Sequence, residues 1–396
     1  MKLSEVVQLH MSEMNDLIEV QDMLLNISQY NEEETFEYFS NSPFFESKDH
    51  LRTLLNSIIA ALNSRPTNYQ HYVNLISYLI PIITTFFQQE ELVEEIFGHN
   101  IIRLRLLEEN IIDFSQIYKY DKSESTFFFF APEFQKYYPE YFDENKIIVR
   151  NLNMENHIIK RLEGMNESEI AIIIRNDDIE QFQSFISRTN TSLNSNIPNS
   201  FYEICLFLKN SVSLIEYAAF FGSTEIFKFL WVNNVNLPST LCDFAVAGGN
   251  YEIVHLIESN KSLKYSSDNL LNAILFHRND IAHYLNDTIG LEYTFDVLAQ
   301  CIMAYNIEIF VEICHLADDD INMGNEWGWT ALHFATMHNR FDLVKLLCQV
   351  EGIDVMSRNN VYFVIFIQAF LLYFLFNSFP LGCLLWTPRY IEILCR

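Results

Sequence analysis

The sequence predicts an all-α fold, in which short helix pairs stack into a helix-turn-helix solenoid behind a helical N-terminal region. Glycine (10 residues) and proline (9) are scarce among 396 residues, so the turns that a β-sandwich or barrel needs are few. Hydrophobic residues make up 49% of the chain, too many for a disordered protein. A short pattern also recurs along the second half of the chain at a nearly constant spacing.

The recurring pattern is an alanine followed, several residues later, by an acidic residue and then isoleucine. Its instances are Ala219 with Glu225, Ala245 with Glu252, Ala273 with Asp280, and Ala299 with Glu308. Successive acidic positions, continued to Asp342, lie 27, 28, 28 and 34 residues apart. Residues 171–186 are predicted to form one more unit, followed by a serine- and asparagine-rich loop over residues 188–200.

The clearest unit covers residues 325–347, NEWGWTALHFATMHNRFDLVKLL. Gly328 permits a tight turn that a Cβ would strain, and Thr330 can cap a helix that begins at Ala331. Apolar residues then supply the buried faces of two short antiparallel helices. These residues are Leu332, Ala335, Leu343, Leu346 and Leu347.

This unit resembles the ankyrin repeat, in which a hairpin turn leads into G-x-T-P-L-H-x-A and a second helix ends in V-x-x-L-L. The matching residues are Gly328, Thr330, Leu332, His333 and Ala335, while Ala331 replaces the usual proline and Asn339-Arg340 the usual Gly-His. The resemblance implies that the His333 imidazole hydrogen-bonds within the turn around Thr330. Since the ankyrin period is about 33 residues, the shorter upstream period is expected to remove residues from the hairpin loop.

Residues 213–260 resemble a domain of unknown function that is common in large ankyrin families of protists and is itself a diverged ankyrin-like array. We therefore predict diverged repeats over residues 165–360, with the best repeat at 325–357. Residues 1–164 form a helical region to which no function is assigned. Helices are expected at 51–62 and 71–87, the second interrupted by Pro81, and the aromatic run 127–130 is expected in the core or an interface.

The repeat pattern ends at Asn360, and the hydrophobic tail 361–396 begins there. Residues 361–386 contain no charged residue, and this length exceeds the roughly 20 residues of a transmembrane helix. Three interpretations stay open: a C-terminal membrane anchor, a terminal element buried against the last repeat, and an artefact in which a retained intron or frameshift replaced the next repeat. An end cap should have a polar outer face, which this segment lacks.

The net charge and the cysteine content limit which kinds of partner and which cellular location are expected. The chain has 25 lysines and arginines against 52 acidic residues, so its net charge of −27 repels a phosphate backbone and disfavours nucleic acid as a partner. A basic protein partner is compatible with this charge. The seven scattered cysteines and a charged N-terminal stretch indicate a reduced, cytoplasmic location, with membrane association if the tail is an anchor.

No motif for phosphate, dinucleotide or zinc binding or for a serine nucleophile occurs, so we expect no enzyme, cofactor or metal site. The acidic runs 318–320 and 32–34 are expected to be solvated. Two roles stay open for Trp327 and Trp329, which flank Gly328 near the hairpin tip: contact with a partner, or packing on the neighbouring repeat.

The resemblance implies a non-catalytic scaffold or adaptor that binds protein partners through its loop tips and first helices. The alternative is a membrane-tethered adaptor anchored near residues 361–386.

Overall fold

The computed structural model describes residues 1–40, 42–95, 99–209 and 211–359. Every regular element of these residues is a helix, which confirms the all-α prediction, and β-pairing is limited to two isolated bridges, Asn196 with Ser213 and Gly324 with Thr330. The chain forms two compact units. We call Ile18–Glu292 the large unit, and Met1–Leu17 together with the described residues from Tyr293 onward the terminal unit. The domain boundaries predicted at residues 164 and 360 do not coincide with the limits of these two units, and they stay predictions.

The N-terminal region is helical, as predicted. Its helices are α1 (Leu3–Leu9), α2 (Met11–Leu25), α3 (Glu32–Ser40), α4 (Lys48–Ser64), α5 (Tyr69–Phe86), α6 (Gln89–Glu95), α7 (Asn100–Glu108), α8 (Phe114–Tyr120), α9 (Glu124–Phe129), α10 (Ala131–Tyr137), α11 (Pro139–Asn145) and α12 (Met154–Lys160). The predicted interruption at Pro81 is wrong, because α5 continues through it. Pro81 lies on the exposed side of α5, where water can satisfy the carbonyl that a proline leaves without an amide partner.

The aromatic run 127–130 lies in the core of this region. All four side chains are at least nine-tenths buried. The Phe127 ring lies 5.1 Å from that of Phe134, and the Phe128 ring stacks on Phe201 at 4.3 Å. The aromatic excess of the sequence therefore builds packing here.

Six helix pairs follow in the part of the chain that the structure describes, and each contains one unit of the predicted series. They are α13 (Glu169–Arg175) with α14 (Ile179–Thr189), α15 (Leu214–Phe221) with α16 (Thr224–Val232), α17 (Leu241–Gly248) with α18 (Tyr251–Glu258), α19 (Ser267–Leu275) with α20 (Asn279–Asp287), α21 (Phe295–Ala304) with α22 (Ile307–Ile313), and α23 (Ala331–Met337) with α24 (Phe341–Leu347). In the large unit, α13, α15, α17 and α19 contact one another in sequence, as do α14, α16 and α18. In the terminal unit α21 contacts α23.

The small residues of the pattern lie where first helices meet. Ala219, Ala245 and Ala273 are fully buried in the large unit, as is Ala335 in the terminal unit. Neighbouring helices can approach closely at these positions because a methyl group is all that separates them.

The turn inside each pair contains one residue with a left-handed backbone. These residues are Asp177, Gly222, Gly249, His277, Tyr305 and Asn339, with φ between 48° and 75°. A left-handed residue at this point ends the first helix and turns the chain back on itself. Four of the six positions are not glycine, so the turn does not depend on the Gly-His dipeptide of the ankyrin motif.

The connections between pairs explain the short period. Residues 233–240, 259–266 and 288–294 link pairs in the 28-residue series, whereas the longer segment 318–330 precedes the last pair and contains the hairpin. The structure thus confirms that the missing residues belong to the loop between repeats. The loop predicted over 188–200 begins slightly later, since α14 extends to Thr189.

The hydrophobic tail 361–396 lies outside the described residues. Among the residues that the structure describes, no helix is both long and apolar enough to cross a membrane.

Candidate interaction surface

The hairpin tip before α23 is held by a single asparagine. The Asn325 side-chain oxygen accepts hydrogen bonds from the backbone N–H groups of Trp327 (3.1 Å) and Trp329 (3.0 Å). The backbone closes the turn as well, since Gly328 N–H donates to the Asn325 carbonyl at 2.8 Å. Gly328 has φ +74°, a left-handed conformation that favours glycine. The tip is therefore rigid despite its position in a loop.

Thr330 and His333 form a capping box at the start of α23. The Thr330 backbone N–H donates to His333 Nδ1 at 3.2 Å, and the His333 N–H donates to Thr330 Oγ1 at 3.4 Å. Because a backbone N–H can only donate, Nδ1 is an acceptor and carries no proton. Burial lowers the pKa of His333, opposed in part by the Ser357 backbone and the Asp354 charge. The imidazole thus orders the helix start, the role that the resemblance implies.

The remaining motif residues are apolar and buried. Ala331 and Ala335 are fully buried and Leu332 is 1% exposed. None of them can contact a partner directly, so they shape the repeat that presents the tip.

The two tryptophans have different environments. The Trp329 ring lies 5.9 Å from that of His333 and 5.7 Å from that of Phe334, so it packs on its own repeat. Trp327 is 57% exposed at the tip. Trp329 thus packs within its own repeat, which is neither of the two roles left open by the sequence, and Trp327 is the aromatic side chain presented to solvent.

Comparison with known families agrees with this geometry. The model of the ankyrin repeat family matches residues 327–360. The chain therefore contains an ankyrin repeat. A second family, the domain of unknown function DUF3447, matches residues 232–313, which include the helices α17–α22. No curated protein gave a significant match.

In the large unit, the chain itself covers part of the first-helix side that the sequence predicts for partner binding. Phe207, in a short 3-10 turn, places its ring 4.7 Å from Phe244 at α17 and 5.2 Å from Phe276 after α19. Arg65, after α4, donates to the carbonyl oxygens of Phe276 (2.5 Å) and His277 (3.1 Å). The Arg65 contacts cap the end of α19, and Phe207 lies beside residues of three neighbouring repeats, since its ring is also 6.2 Å from Phe220 of α15.

Two acidic runs are less solvated than predicted. The Asp318 carboxylate accepts hydrogen bonds from the Ser4 backbone N–H at 2.8 Å and from its hydroxyl, so it caps α1 within the terminal unit. Glu32 contacts His71 Nδ1 and accepts from the Asn74 amide at 2.8 Å. The prediction of solvated runs is therefore wrong for one residue in each, because Asp318 caps the start of α1 and Glu32 bonds side chains of α5.

The five cysteines that the structure describes are free thiols. Burial raises the pKa of Cys205 to about 12 and those of Cys242 and Cys314 to about 11. These three thiols stay protonated at neutral pH and are poor nucleophiles. Their burial marks them as packing residues of the repeats.

Proposed function

We propose that this protein is a non-catalytic scaffold or adaptor that binds a protein partner. Ankyrin repeats generally serve protein–protein interaction, and the observation that carries the proposal is the exposed Trp327 on a tip that Asn325 holds rigid. A large aromatic side chain fixed in place loses little entropy on binding, which suits it as a contact anchor. Buried free thiols support a reduced, cytoplasmic location.

Site-specific photo-crosslinking tests this role. A photoreactive phenylalanine analogue replaces Trp327 in the full chain, and cross-linked proteins from cytosol are identified by mass spectrometry. The control carries the same analogue at Tyr30, which is 89% exposed in the large unit. We expect a discrete cross-linked product from position 327 alone. The same products from both positions, or none from position 327, would reject the tip as a binding site.

The second candidate is a membrane-tethered adaptor, supported by the uncharged stretch 361–386. Carbonate extraction of membranes from cells that express the full chain tests it, and recovery in the soluble fraction rejects an anchor. Genomic DNA after the codon for Asn360 provides a separate test. If another reading frame resumes a G-x-T-[PA]-L-H repeat, the tail is an artefact and the anchor is rejected with it.

A further inference from the structure

Second helices of the large unit present an aromatic surface on α18 and α20. Tyr251, the first residue of α18, is 43% exposed. Its ring lies 6.5 Å from that of Tyr284 on α20, and the His255 ring lies 5.1 Å from Tyr284 at nearly a right angle. These three rings, with Glu258 and Asp280, are called the Tyr251 patch below.

Two carboxylates accompany the rings of the patch. Glu258 accepts a hydrogen bond from the Tyr284 hydroxyl at 2.6 Å, and His255 Nδ1 lies 3.3 Å from the same oxygen. These contacts hold the pKa of Glu258 below its usual value, so it is anionic at neutral pH. Burial raises the pKa of Tyr251, and the charge of Asp280, on the same helix as Tyr284, adds to this effect.

The neighbouring lysine is paired with carboxylates other than Glu258 and Asp280. Lys228 on α16 pairs with Glu252 at 2.7 Å and Glu225 at 3.6 Å. The patch carboxylates Glu258 and Asp280 belong to neither of these ion pairs. Its surface therefore combines aromatic rings with negative charge that a ligand could neutralise.

This combination selects one ligand chemistry. A purely apolar partner would desolvate Glu258 without giving it a counter-charge, which is unfavourable. An arginine guanidinium can lie over a tyrosine ring and also donate two hydrogen bonds to a carboxylate. Arginine is better suited than lysine, whose ammonium is compact and strongly hydrated. The net charge of −27 would also speed the approach of a basic partner.

We propose that the Tyr251 patch docks an arginine-bearing segment of a partner protein. This inference rests on the proposed interaction function and adds a second surface, on the second helices, to the hairpin tip. The patch lies on second helices, whereas Phe207 and Arg65 contact residues within or just after first helices.

The test uses fluorescence anisotropy with the full chain and a labelled peptide of alternating glycine and arginine. A matched peptide carries citrulline, which keeps the shape of arginine without its charge. The variant Tyr251→Leu/Tyr284→Leu removes both phenol rings and leaves the net charge unchanged, whereas Tyr30→Leu makes the same change elsewhere. We expect tight binding of the arginine peptide only, about tenfold weaker binding by the double variant, and no change with Tyr30→Leu.

Equal affinity of the double variant and wild type would overturn the proposal, because attraction to net charge alone would then explain the binding. Circular dichroism shows whether the double variant is folded. If it is not, Glu258→Gln with Tyr284→Phe replaces it, and unchanged affinity in this variant would overturn the proposal equally. Cross-linking at position 327 is independent of this result. If a partner is captured there but the patch variants bind the arginine peptide as wild type does, the proposed function stands and only the docking site is rejected.

Discussion

The ankyrin repeat of the terminal unit and two of the shorter repeats of the large unit begin their first helices with the same arrangement but different residues. Thr330 pairs with His333 in the first case. In the large unit Ser213 pairs with Glu216, and Ser266 with Asn269. Each cap supplies an oxygen for the amide three residues later, and each third residue accepts from the amide of the cap. Histidine is one of several residues whose side chain can accept this hydrogen bond. The motif can therefore change in sequence while the capped helix start is retained.

The turns inside the pairs allow a similar comparison. Asn339 has the left-handed backbone in the ankyrin repeat, and Gly249 and His277 have it in the shorter repeats. The next residue differs in size but often bonds backward to the preceding repeat. Arg340 donates to the Met303 carbonyl (2.8 Å) and Arg278 to the Ala247 carbonyl (2.9 Å). In both kinds of repeat, an arginine side chain therefore links one repeat to the preceding one by a hydrogen bond that the repeat pattern of the sequence does not predict.

The largest expected effect comes from Gly248, where α17 approaches α15. A Cβ at this position would lie 2.3 Å from the Ala219 carbonyl oxygen and 2.7 Å from that of Phe220. Backbone cannot yield as a side chain can, so Gly248→Ala should lower the free energy of unfolding by about 3 kcal/mol. The control is Gly290→Ala, whose Cβ would meet nothing within 4 Å and whose φ of +80° adds only about 1 kcal/mol of strain. Urea unfolding followed by circular dichroism measures both, and equal losses would contradict close packing at Gly248.

Next in size are the two arginines that couple neighbouring repeats. Arg340→Lys should cost about 2 kcal/mol, because it loses a buried charge-assisted hydrogen bond and the contact of its guanidinium with the Tyr305 ring, 4.7 Å away. Arg278→Lys should cost somewhat less, since that side chain is less buried. Thermal unfolding measures both, with Arg188→Lys as the control, whose ion pair with Glu169 is exposed. No loss in either buried variant would show that the backward hydrogen bonds do not couple the repeats.

A smaller effect is expected at His333. His333→Ala should cost about 1 kcal/mol by removing the capping box, and His333→Asn should retain most of it because Asn269 serves in the same position. Burial lowers the pKa of His333, so the unfolded chain binds more protons and stability falls as pH drops below about 6.5. Tryptophan fluorescence during thermal unfolding at pH 7 and pH 5 should show this loss, reduced in His333→Asn. His338 adds to it in both proteins, since burial lowers its pKa to about 4. An identical pH dependence in wild type and His333→Asn would assign the loss to other histidines, such as His338 and His99, whose pKa burial also lowers to about 4.

The smallest effect is expected at the turn of the ankyrin repeat. Asn339→Gly should change the free energy of unfolding by less than about 0.5 kcal/mol, since asparagine tolerates the left-handed conformation well. The reverse exchange, Gly249→Asn, should be harmful because a Cβ there would lie 2.5 Å from the Arg278 side chain. Chemical unfolding of both variants tests this asymmetry, and similar losses would mean that the turns are interchangeable.

The sequence predicts the repeats because their signal is local. Buried alanines at one helix and an acidic residue at the start of the next recur with the period of the fold, and Gly328, Thr330 and His333 fix the best unit. The left-handed turn at Tyr305 gives no such signal, since tyrosine seldom adopts that backbone. The packing of the repeats imposes the conformation on it.

Contacts between distant parts of the chain were beyond prediction for a different reason. Neither the pairing of Ser4 with Asp318 nor that of Arg65 with His277 leaves any pattern in one sequence, because each side chain alone looks like an ordinary surface residue. The Tyr251 patch is also nonlocal, since Tyr284 reaches Glu258 from the next repeat. Only the three-dimensional arrangement identifies the patch.

The contact between Arg65 and the end of α19 also constrains the order of events during synthesis. Phe276 and His277 follow Arg65 by 211 and 212 residues in the sequence, so the ribosome makes the N-terminal helices long before the carbonyl groups of these two residues exist. Repeats with local contacts can fold as they emerge from the ribosome, whereas this closure must wait and is expected to form late and slowly. Until then Arg65 is without these two acceptors, and a nascent chain paused before residue 276 would expose the surface that Arg65 later covers.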